Sequence, residues 1–461
     1  MKTVLLIDFG STYTKVSAVD IDKEELIGNA VSFTTIKTDI NQGLEKAIKL
    51  LEKETGKLDI SEYLACSSAA GGLRMVVSGL VDGVTSHASK QASLGAGAKV
   101  IKVYSYEMTK GDIEEINKIN PEIFLLAGGT DGGDKKCILH NAKMISQCKS
   151  DFQIIIAGNK VVSERCRQIL KGKEVYIVEN VMPKYGELNI EPAKKKIRDI
   201  FLNKIIYAKG VTKASNLVSG IIMPTPSAIM KAMELLTKGY KEEKGIGELL
   251  GIDLGGATTD IYSIADGFPK ESNVIYKGLK EPYVKRTVEG DIGMRYSIHG
   301  ILKEVGIDNI ATTANLNVDR TEELIDFLYN NPETLPSENM ELAKLDFALA
   351  AKAIEIATIR HAGNTEKIYT STGIAYLQKG KDLRTLKKIV VTGGSIIHLP
   401  KVNEVTKYAL YSDNNPESLR PIKSDILVDR KYILAAMGLL SKSYPKIAIR
   451  IMKKELKYDG D

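Results

Sequence analysis

Apolar and β-branched residues dominate three short segments at the start of the chain, 3–9, 13–20 and 28–36, and their pattern predicts three strands of a meander. From Asn41 to Thr55 the spacing changes. Leu44, Ala47, Ile48, Leu50 and Leu51 recur with the period of an amphipathic helix. Glu62–Cys66 again suits a strand, and it runs into Ser67-Ser68-Ala69-Ala70-Gly71-Gly72, small residues that predict a close-packed turn. An alanine- and glycine-rich stretch then leads to a β-type run at Val100–Tyr104.

A second pattern begins at Ile123-Phe124-Leu125-Leu126, which ends in Ala127-Gly128-Gly129-Thr130-Asp131-Gly132-Gly133 and opens a helix through about Cys148. Strand Gln153–Ala157, helix Ser163–Leu170 and strand Glu174–Val178 follow, an alternation that predicts an α/β unit with parallel strands. The glycine turn suits either an anion or a plain strand-to-helix reversal, since glycine accepts positive φ in both. The second half of the chain repeats the opening, with strands near 249–254, 259–265 and 272–276. Mostly helical sequence comes next, then a polar connection around Asn330–Asn339, a strand at Lys388–Thr392 and a helix at Lys431–Ser441. No low-complexity linker separates these parts, so packed crossings are expected to join the domains.

Two of the predicted strands end alike. Asp8-Phe9-Gly10-Ser11-Thr12-Tyr13-Thr14-Lys15 follows Val4-Leu5-Leu6-Ile7, and Asp253-Leu254-Gly255-Gly256-Ala257-Thr258-Thr259-Asp260 follows Leu249-Leu250-Gly251-Ile252. Glycines in such a turn bring backbone N–H groups close to phosphate oxygens, hydroxyls add neutral donors, and an acid can hold Mg²⁺ directly or through water. One turn of this kind opening each half points to a nucleotide held from two sides. Asp8-Phe9-Gly10 also spells the metal-binding tripeptide of protein kinases, but no His-Arg-Asp or Gly-rich strand precedes it.

The bulk numbers narrow the classes. At 461 residues, 43% hydrophobic, the chain is long enough for several domains with substantial cores. Its 64 basic and 58 acidic residues are nearly balanced, and Lys194-Lys195-Lys196, Lys387-Lys388 and Lys453-Lys454 are separate clusters. Nothing there suggests a nucleic-acid face. No apolar stretch approaches the ~18 residues of a membrane span. The N-terminal apolar run meets Asp8 too soon for a signal peptide, so a cytoplasmic protein is expected. Cys66, Cys137, Cys148 and Cys166 have no metal-binding spacing, nor do the five histidines, and scattered thiols fit a reducing compartment. Lys15 and Arg295 are candidates for phosphate or interdomain contacts.

Five ordered segments resemble the nucleotide site of the actin–sugar kinase–DnaK-type chaperone superfamily. Asp8–Lys15 is similar to its first phosphate loop, Pro224-Thr225-Pro226-Ser227-Ala228-Ile229-Met230-Lys231-Ala232 to its first connecting helix, and Asp253–Asp260 to its second phosphate loop. Val390-Val391-Thr392-Gly393-Gly394-Ser395 resembles its adenosine loop, and Ala435-Ala436-Met437-Gly438-Leu439 its second connecting helix. The resemblance implies an α/β protein of the actin-like (ribonuclease H-like) ATPase fold, two lobes around a nucleotide cleft, with an extra α/β region in the first half. Residues 1–223 would form the first lobe, with the extra region at about 60–215. Residues 224–238 would be the connecting helix, 239–428 the second lobe, and 429–461 the second connecting helix and tail. ATP and Mg²⁺ are the implied cofactors. Gly10, Ser11, Thr12, Lys15, Gly255, Gly256 and Thr258 would serve the phosphates, Gly393, Gly394 and Ser395 the adenosine, and Asp8 and Asp253 the metal. Two departures stand out. Met223 occupies the position where the chaperones carry an acid that orients water, and Ala257 replaces a glycine. A slow Mg-dependent ATPase is therefore implied, with Asp8, Asp253, Asp260 and Glu289 as its catalytic acids and the water-orienting residue left open between Asp260 and Glu289.

A narrower resemblance rests on Ser67–Leu73, Leu126–Gly133 and Val288-Glu289-Gly290-Asp291-Ile292-Gly293-Met294-Arg295. These segments are similar to the MutL/GlmL family, which is encoded beside adenosylcobalamin-dependent mutases and aminomutases, notably glutamate (methylaspartate) mutase. The DNA mismatch-repair protein that shares the name MutL is an unrelated ATPase. The resemblance implies an ATP-driven reactivating factor or assembly chaperone whose partner is such a mutase, with no nucleic acid and no membrane involved. Two other classes share the fold. A small-molecule kinase would phosphorylate a sugar or acetate, and an activator of a radical dehydratase would carry an iron–sulfur cluster.

Overall fold

The computed structural model describes residues 2–10, 13–33, 40–68, 73–208, 221–334, 339–371, 373–397, 399 and 401–458. It divides the chain into two compact units, Met1–Ile229 with Gly438–Lys442, and Met230–Met437 with Ser443–Asp461.

The first unit is built on a meander. β1 (Thr3–Phe9), β2 (Tyr13–Asp20) and β3 (Glu25–Phe33) run antiparallel, and β4 (Ile60–Ser67) then lies parallel to β1 after the helix Ile40–Thr55. Every residue of β1 is buried, which its unbroken apolar run up to Asp8 requires of a central strand. The chain next makes a separate parallel sheet from β5 (Arg74–Gly79), β6 (Lys99–Ser105), β7 (Ile123–Leu126), β8 (Gln153–Ile156) and β9 (Val175–Ile177), in the order β6-β5-β7-β8-β9. Helices Thr85–Gly95, Lys110–Ile119, Lys136–Ile145 and Ser163–Ile169 alternate with its strands. Phe124, Leu126, Ile138, Ile154 and Ile156 form the centre of its core. After helix Glu191–Ala208 the chain returns to the first sheet as β10 (Ile221–Pro224), parallel to β4. The resulting order is β10-β4-β1-β2-β3.

The second unit repeats that plan. The short ribbon β11 (Gly239–Tyr240) and β12 (Glu243–Lys244) precedes β13 (Leu249–Leu254) and β14 (Thr259–Ile264). β15 (Val274–Tyr276) leaves for a small sheet, and β16 (Val284–Glu289) completes the meander. β17 (Asn364–Thr370) and β18 (Gly373–Lys379) form a hairpin beside β15, while β19 (Lys388–Thr392) and β20 (Asp425–Val428) extend the main sheet in parallel. With β21 (Lys457–Tyr458) at the edge, the order is β16-β14-β13-β19-β20-β21. The first five strands match those of the first unit in order and direction. Both units therefore carry the ribonuclease H-like sheet of the actin-like ATPase fold. The long helix Met340–His361 covers one face of the second sheet and contributes Leu345, Leu349, Ile354 and Ala357 to its core.

Some elements depart from the sequence reading. The third strand of the second meander is Val284–Glu289 rather than 272–276, which belongs to the small sheet. The strands Arg74–Gly79 and Asp425–Val428, the helix Lys110–Ile119 and the hairpin at 364–379 are additional. Among the described residues, no helix is long and apolar enough to cross a membrane.

Candidate functional site

In the first unit, the ladder sets four side chains in a row. Lys15 on β2 stands opposite Asp8 on β1, Cys66 on β4 stands opposite Asp8 on the other side, and Met223 on β10 stands opposite Cys66. Asp8 is nearly buried, at 5% exposure, and its carboxylate is well occupied. Thr225 Oγ1 donates to Oδ1 at 2.6 Å, and Lys15 Nζ lies 3.3 Å from Oδ2. Cys66 Sγ lies 3.5 Å from Oδ1 and 3.6 Å from the Thr225 hydroxyl. Burial, and then the Asp8 charge, push the Cys66 thiol well above its ordinary value, so it stays protonated and acts as a weak donor. Thr225 opens the helix Thr225–Lys238, which fixes its hydroxyl beside the acid.

Beyond Asp8 the chain turns sharply. Gly10 N donates to Tyr13 O at 3.0 Å, and a Cβ at Gly10 would stand 2.5 Å from that same oxygen. Only glycine fits there. Ser11 and Thr12, predicted to contact phosphate, lie outside the described residues.

The second unit builds the same turn from different residues. Gly255 N donates to Thr258 O at 2.9 Å, and a Cβ at Gly255 would stand 3.0 Å from it. Asp253 faces Asp260 across the hairpin in the register by which Asp8 faces Lys15, and Thr392 flanks Asp253 on β19. An acid thus replaces the lysine. Asp260 is nearly buried and is neutralised by Arg286, whose Nε donates to Oδ1 at 2.6 Å. Burial alone would lower the Arg286 pKa, but the Asp260 charge carries it above its ordinary value. Thr258 Oγ1 adds a 3.4 Å bond to Asp260 Oδ2.

Three further segments brace this second turn. Met294 N donates to Gly255 O, and Arg295 N and Tyr296 N both donate to Gly256 O, at 2.8–3.1 Å. Arg295 itself is held by Asp346 through two 2.8 Å bonds from the helix Met340–His361, so its guanidinium supports the loop from behind. Gly393, with φ +110°, lies against β13, where a Cβ would come within 2.6 Å of Leu254 N. Gly394 is exposed with open space around it, and Ser395 is half-buried beside it. Asp429 accepts from Thr392 Oγ1 at 3.0 Å and from Ile433 N and Leu434 N at 2.8 and 3.0 Å. It ties the strand beside Asp253 to the start of helix Leu434–Leu440. Farther along that helix, a Cβ at Gly438 would meet Ala228 Cα at 3.0 Å.

The structure thus gathers Asp8, Gly10 and Lys15 in one unit, and Asp253, Gly255, Gly256, Thr258, Asp260 and Gly393 in the other. Glu289 is set apart. Its register partner is Thr259, so it occupies the opposite face of the sheet from Asp253 and Asp260, and it is bound to Arg360 at 2.6 Å. Thr225, Cys66, Arg286, Asp346 and Asp429 are the residues that sequence reasoning did not assign. Thr225 was within reach, because it lies in the quoted Pro-Thr-Pro run.

A family model described as MutL protein matches residues 4–456. The chain belongs to the MutL family. Protein MutL of Clostridium tetanomorphum is 45% identical over 460 residues, covering 99% of each chain. Solved structures with similarity along the chain include the activator of the 2-hydroxyisocaproyl-CoA dehydratase from Clostridium difficile with bound ADPNP. It is 9% identical and covers 100% of both chains, with a TM-score of 0.34. A nucleotide-free diol dehydratase-reactivating factor is 12% identical and covers 97% of this chain and 100% of its own, with a TM-score of 0.35.

Proposed function

We propose that this MutL-family chain binds Mg·ATP through its two matched hairpins, hydrolyses it slowly, and uses the cycle to reactivate or assemble an adenosylcobalamin-dependent mutase of the glutamate mutase or aminomutase type. The observation that carries the ATP reading is the duplication: two turns of one geometry, each closing on an acid, in two sheets of one topology. Family membership carries the partner class.

The donor set fits a magnesium nucleotide. Glycine at 10, 255 and 393 lets the backbone turn where a Cβ would strike Tyr13 O, Thr258 O and Leu254 N, and Lys15 supplies a cation beside Asp8. Among the described residues, no group of three or more His, Cys, Asp or Glu side chains could hold a metal by itself. Magnesium typically uses one or two carboxylates and completes its shell with water and phosphate, which suits Asp8 and Asp253. When bound, the ion would neutralise phosphate charge.

The chain's own residues would divide the remaining work. The Thr225 hydroxyl and the Lys15 ammonium hold the Asp8 carboxylate in one orientation. Arg286 cancels the Asp260 charge, so Asp253 does not face a second bare carboxylate. Asp260 has its oxygens engaged by Arg286 and Thr258 and so serves the hairpin rather than a water, and Met223 offers no base. Slow hydrolysis follows from that shortage.

For reactivation, the ATP and ADP states must differ in affinity for the damaged mutase, and each tenfold difference corresponds to about 1.4 kcal/mol. The test combines the full-length chain, ATP and Mg²⁺ with an inactivated glutamate-type mutase and free adenosylcobalamin. ATP-dependent recovery of turnover that is lost in Asp253→Ala supports the proposal. Absence of recovery, or recovery without ATP, rejects it.

A further inference from the structure

The parallel sheet β5–β9 lies outside the duplicated fold, and its carboxyl edge has the properties of a ligand site. Its order, β6-β5-β7-β8-β9, means that the chain leaves β5 outward to β6 and then crosses back to β7. At such a switch point the loops after the two central strands diverge and open a crevice, where ligands of doubly wound sheets bind. The loops after β5 and β7 meet there. A Cβ at Gly128 would stand 3.7 Å from Leu80 N.

The loop after β7 is firmly built yet leaves donors over. Asp131 N bonds Pro183 O, Gly132 N bonds Asn159 Oδ1, and Gly133 N bonds Thr130 O, at 2.9–3.2 Å. Asn159 Nδ2 holds the carbonyls of Gly133 and Asp134, and Asn180 Nδ2 holds that of Gly129. By contrast, the successive N–H groups of Gly128, Gly129 and Thr130 make no hydrogen bond among the described residues. Gly128 and Gly129 are buried, with φ of +151° and +71°. Adjacent N–H groups left over at one glycine turn form a concavity of the kind that receives an anion. A second orphan lies at the same end. Ser78, fully buried on β5 and opposite Leu126 of β7, has no partner for its hydroxyl among the described residues.

Charge and shape indicate what the acceptor is. The acid of the loop, Asp131, is already neutralised: it accepts from Lys160 N and Asn180 Nδ2 at 3.0 Å, and Lys160 Nζ lies 3.6 Å away. Consecutive free N–H groups then favour an anion. Val81, Tyr106 and Val161, which follow β5, β6 and β8, are 37%, 58% and 56% exposed, so apolar groups cluster at this edge too. We propose that the Gly128–Thr130 amides bind the phosphate of a small nucleotide-like molecule whose ring packs on this apolar rim. The site is separate from the hairpins assigned to Mg·ATP.

Amide NMR of the full-length chain with glycine-selective isotope labelling tests the proposal, using inorganic phosphate and then adenosine monophosphate as probes. The Gly128 and Gly129 signals are expected to shift and saturate, with adenosine monophosphate binding about tenfold more tightly than phosphate. Lys160→Gln should weaken both probes about threefold and Thr130→Glu about tenfold or more, with the other glycine signals unchanged as evidence of folding. Gly10 and Gly255 report the hairpins separately, so either reading can fail without the other. Unmoved Gly128 and Gly129 signals, shifts indifferent to both substitutions, or shifts seen only when a protein partner is added would overturn the site.

Discussion

Arg286→Met tests the account of the second hairpin at its most buried point. The substitution keeps an apolar stem of similar length and removes only the cation, leaving Asp260 on a side chain 9% exposed with the Thr258 hydroxyl as its remaining side-chain donor among the described residues. Stranding one member of a buried ion pair costs about 3–5 kcal/mol, and a unit of roughly 200 residues loses about 2–4 °C per kcal/mol, so a fall of roughly 6–20 °C is expected. Asp260→Asn in the same chain removes the stranded charge. The double variant should therefore regain most of the loss, finishing within about 1–2 kcal/mol of the parent. Thermal unfolding followed by circular dichroism measures all four members of the cycle, with hydrogen exchange on β13 and β14 locating the loss in the second unit. A loss of under about 3 °C in Arg286→Met would refute the buried-pair reasoning, as would a double variant no better than the single.

Thr225→Val removes the 2.6 Å bond to Asp8 at nearly constant volume, so about 1.5–3 kcal/mol of stability should go. Nucleotide affinity measured by calorimetry should fall in parallel, and unchanged affinity would separate Thr225 from the site. Gly393→Ala forces a side chain into φ +110° and onto Leu254, and should cost about 1–3 kcal/mol from the backbone alone, read as a lowered denaturation midpoint. Lys381 is buried with its Nζ on the carbonyls of Ala265 and Tyr283, and burial, then the charge of Lys285, bring its pKa down from 10.5 to about 7. Between those values the unfolded chain holds a proton that the folded chain has released. Stability should therefore rise with pH by up to about 1.4 kcal/mol per unit, and Lys381→Met should remove that slope. Urea midpoints at about pH 7 and 9 compare the two chains, and parallel behaviour would rule the shift out.

Much of the site was legible because it is local. Asp8 to Lys15 and Asp253 to Asp260 each enclose a whole hairpin, and glycine marks the backbone that must come close. The supporting residues were hidden by distance along the chain: Thr225 reaches Asp8 across 217 residues, and Arg295 reaches Asp346 across 51. β16 was missed for a different reason. Its sequence, VKRTVE, has the polar look of a surface segment, whereas 272–276 carries the stronger β signal. Lys285 and Arg286 are nevertheless buried, the first against Glu281 and the carbonyl of His361 and the second against Asp260. Of these partners Asp260 and His361 are distant in sequence, and together with Glu281 they make a charged strand tolerable in the main sheet. The β17–β18 hairpin escaped because most of β17 is exposed and leaves no alternation to read.

The central claim is that one nucleotide is held by both hairpins. Calorimetric titration of the full-length chain with Mg²⁺ and a non-hydrolysable ATP analogue tests it most directly, comparing the parent with Asp8→Ala, Asp253→Ala and the double variant. The account predicts a single nucleotide per chain, an affinity weakened about tenfold or more by either substitution, and none measurable in the double variant. Undiminished affinity in either single variant, or two independent nucleotides per chain, would contradict it.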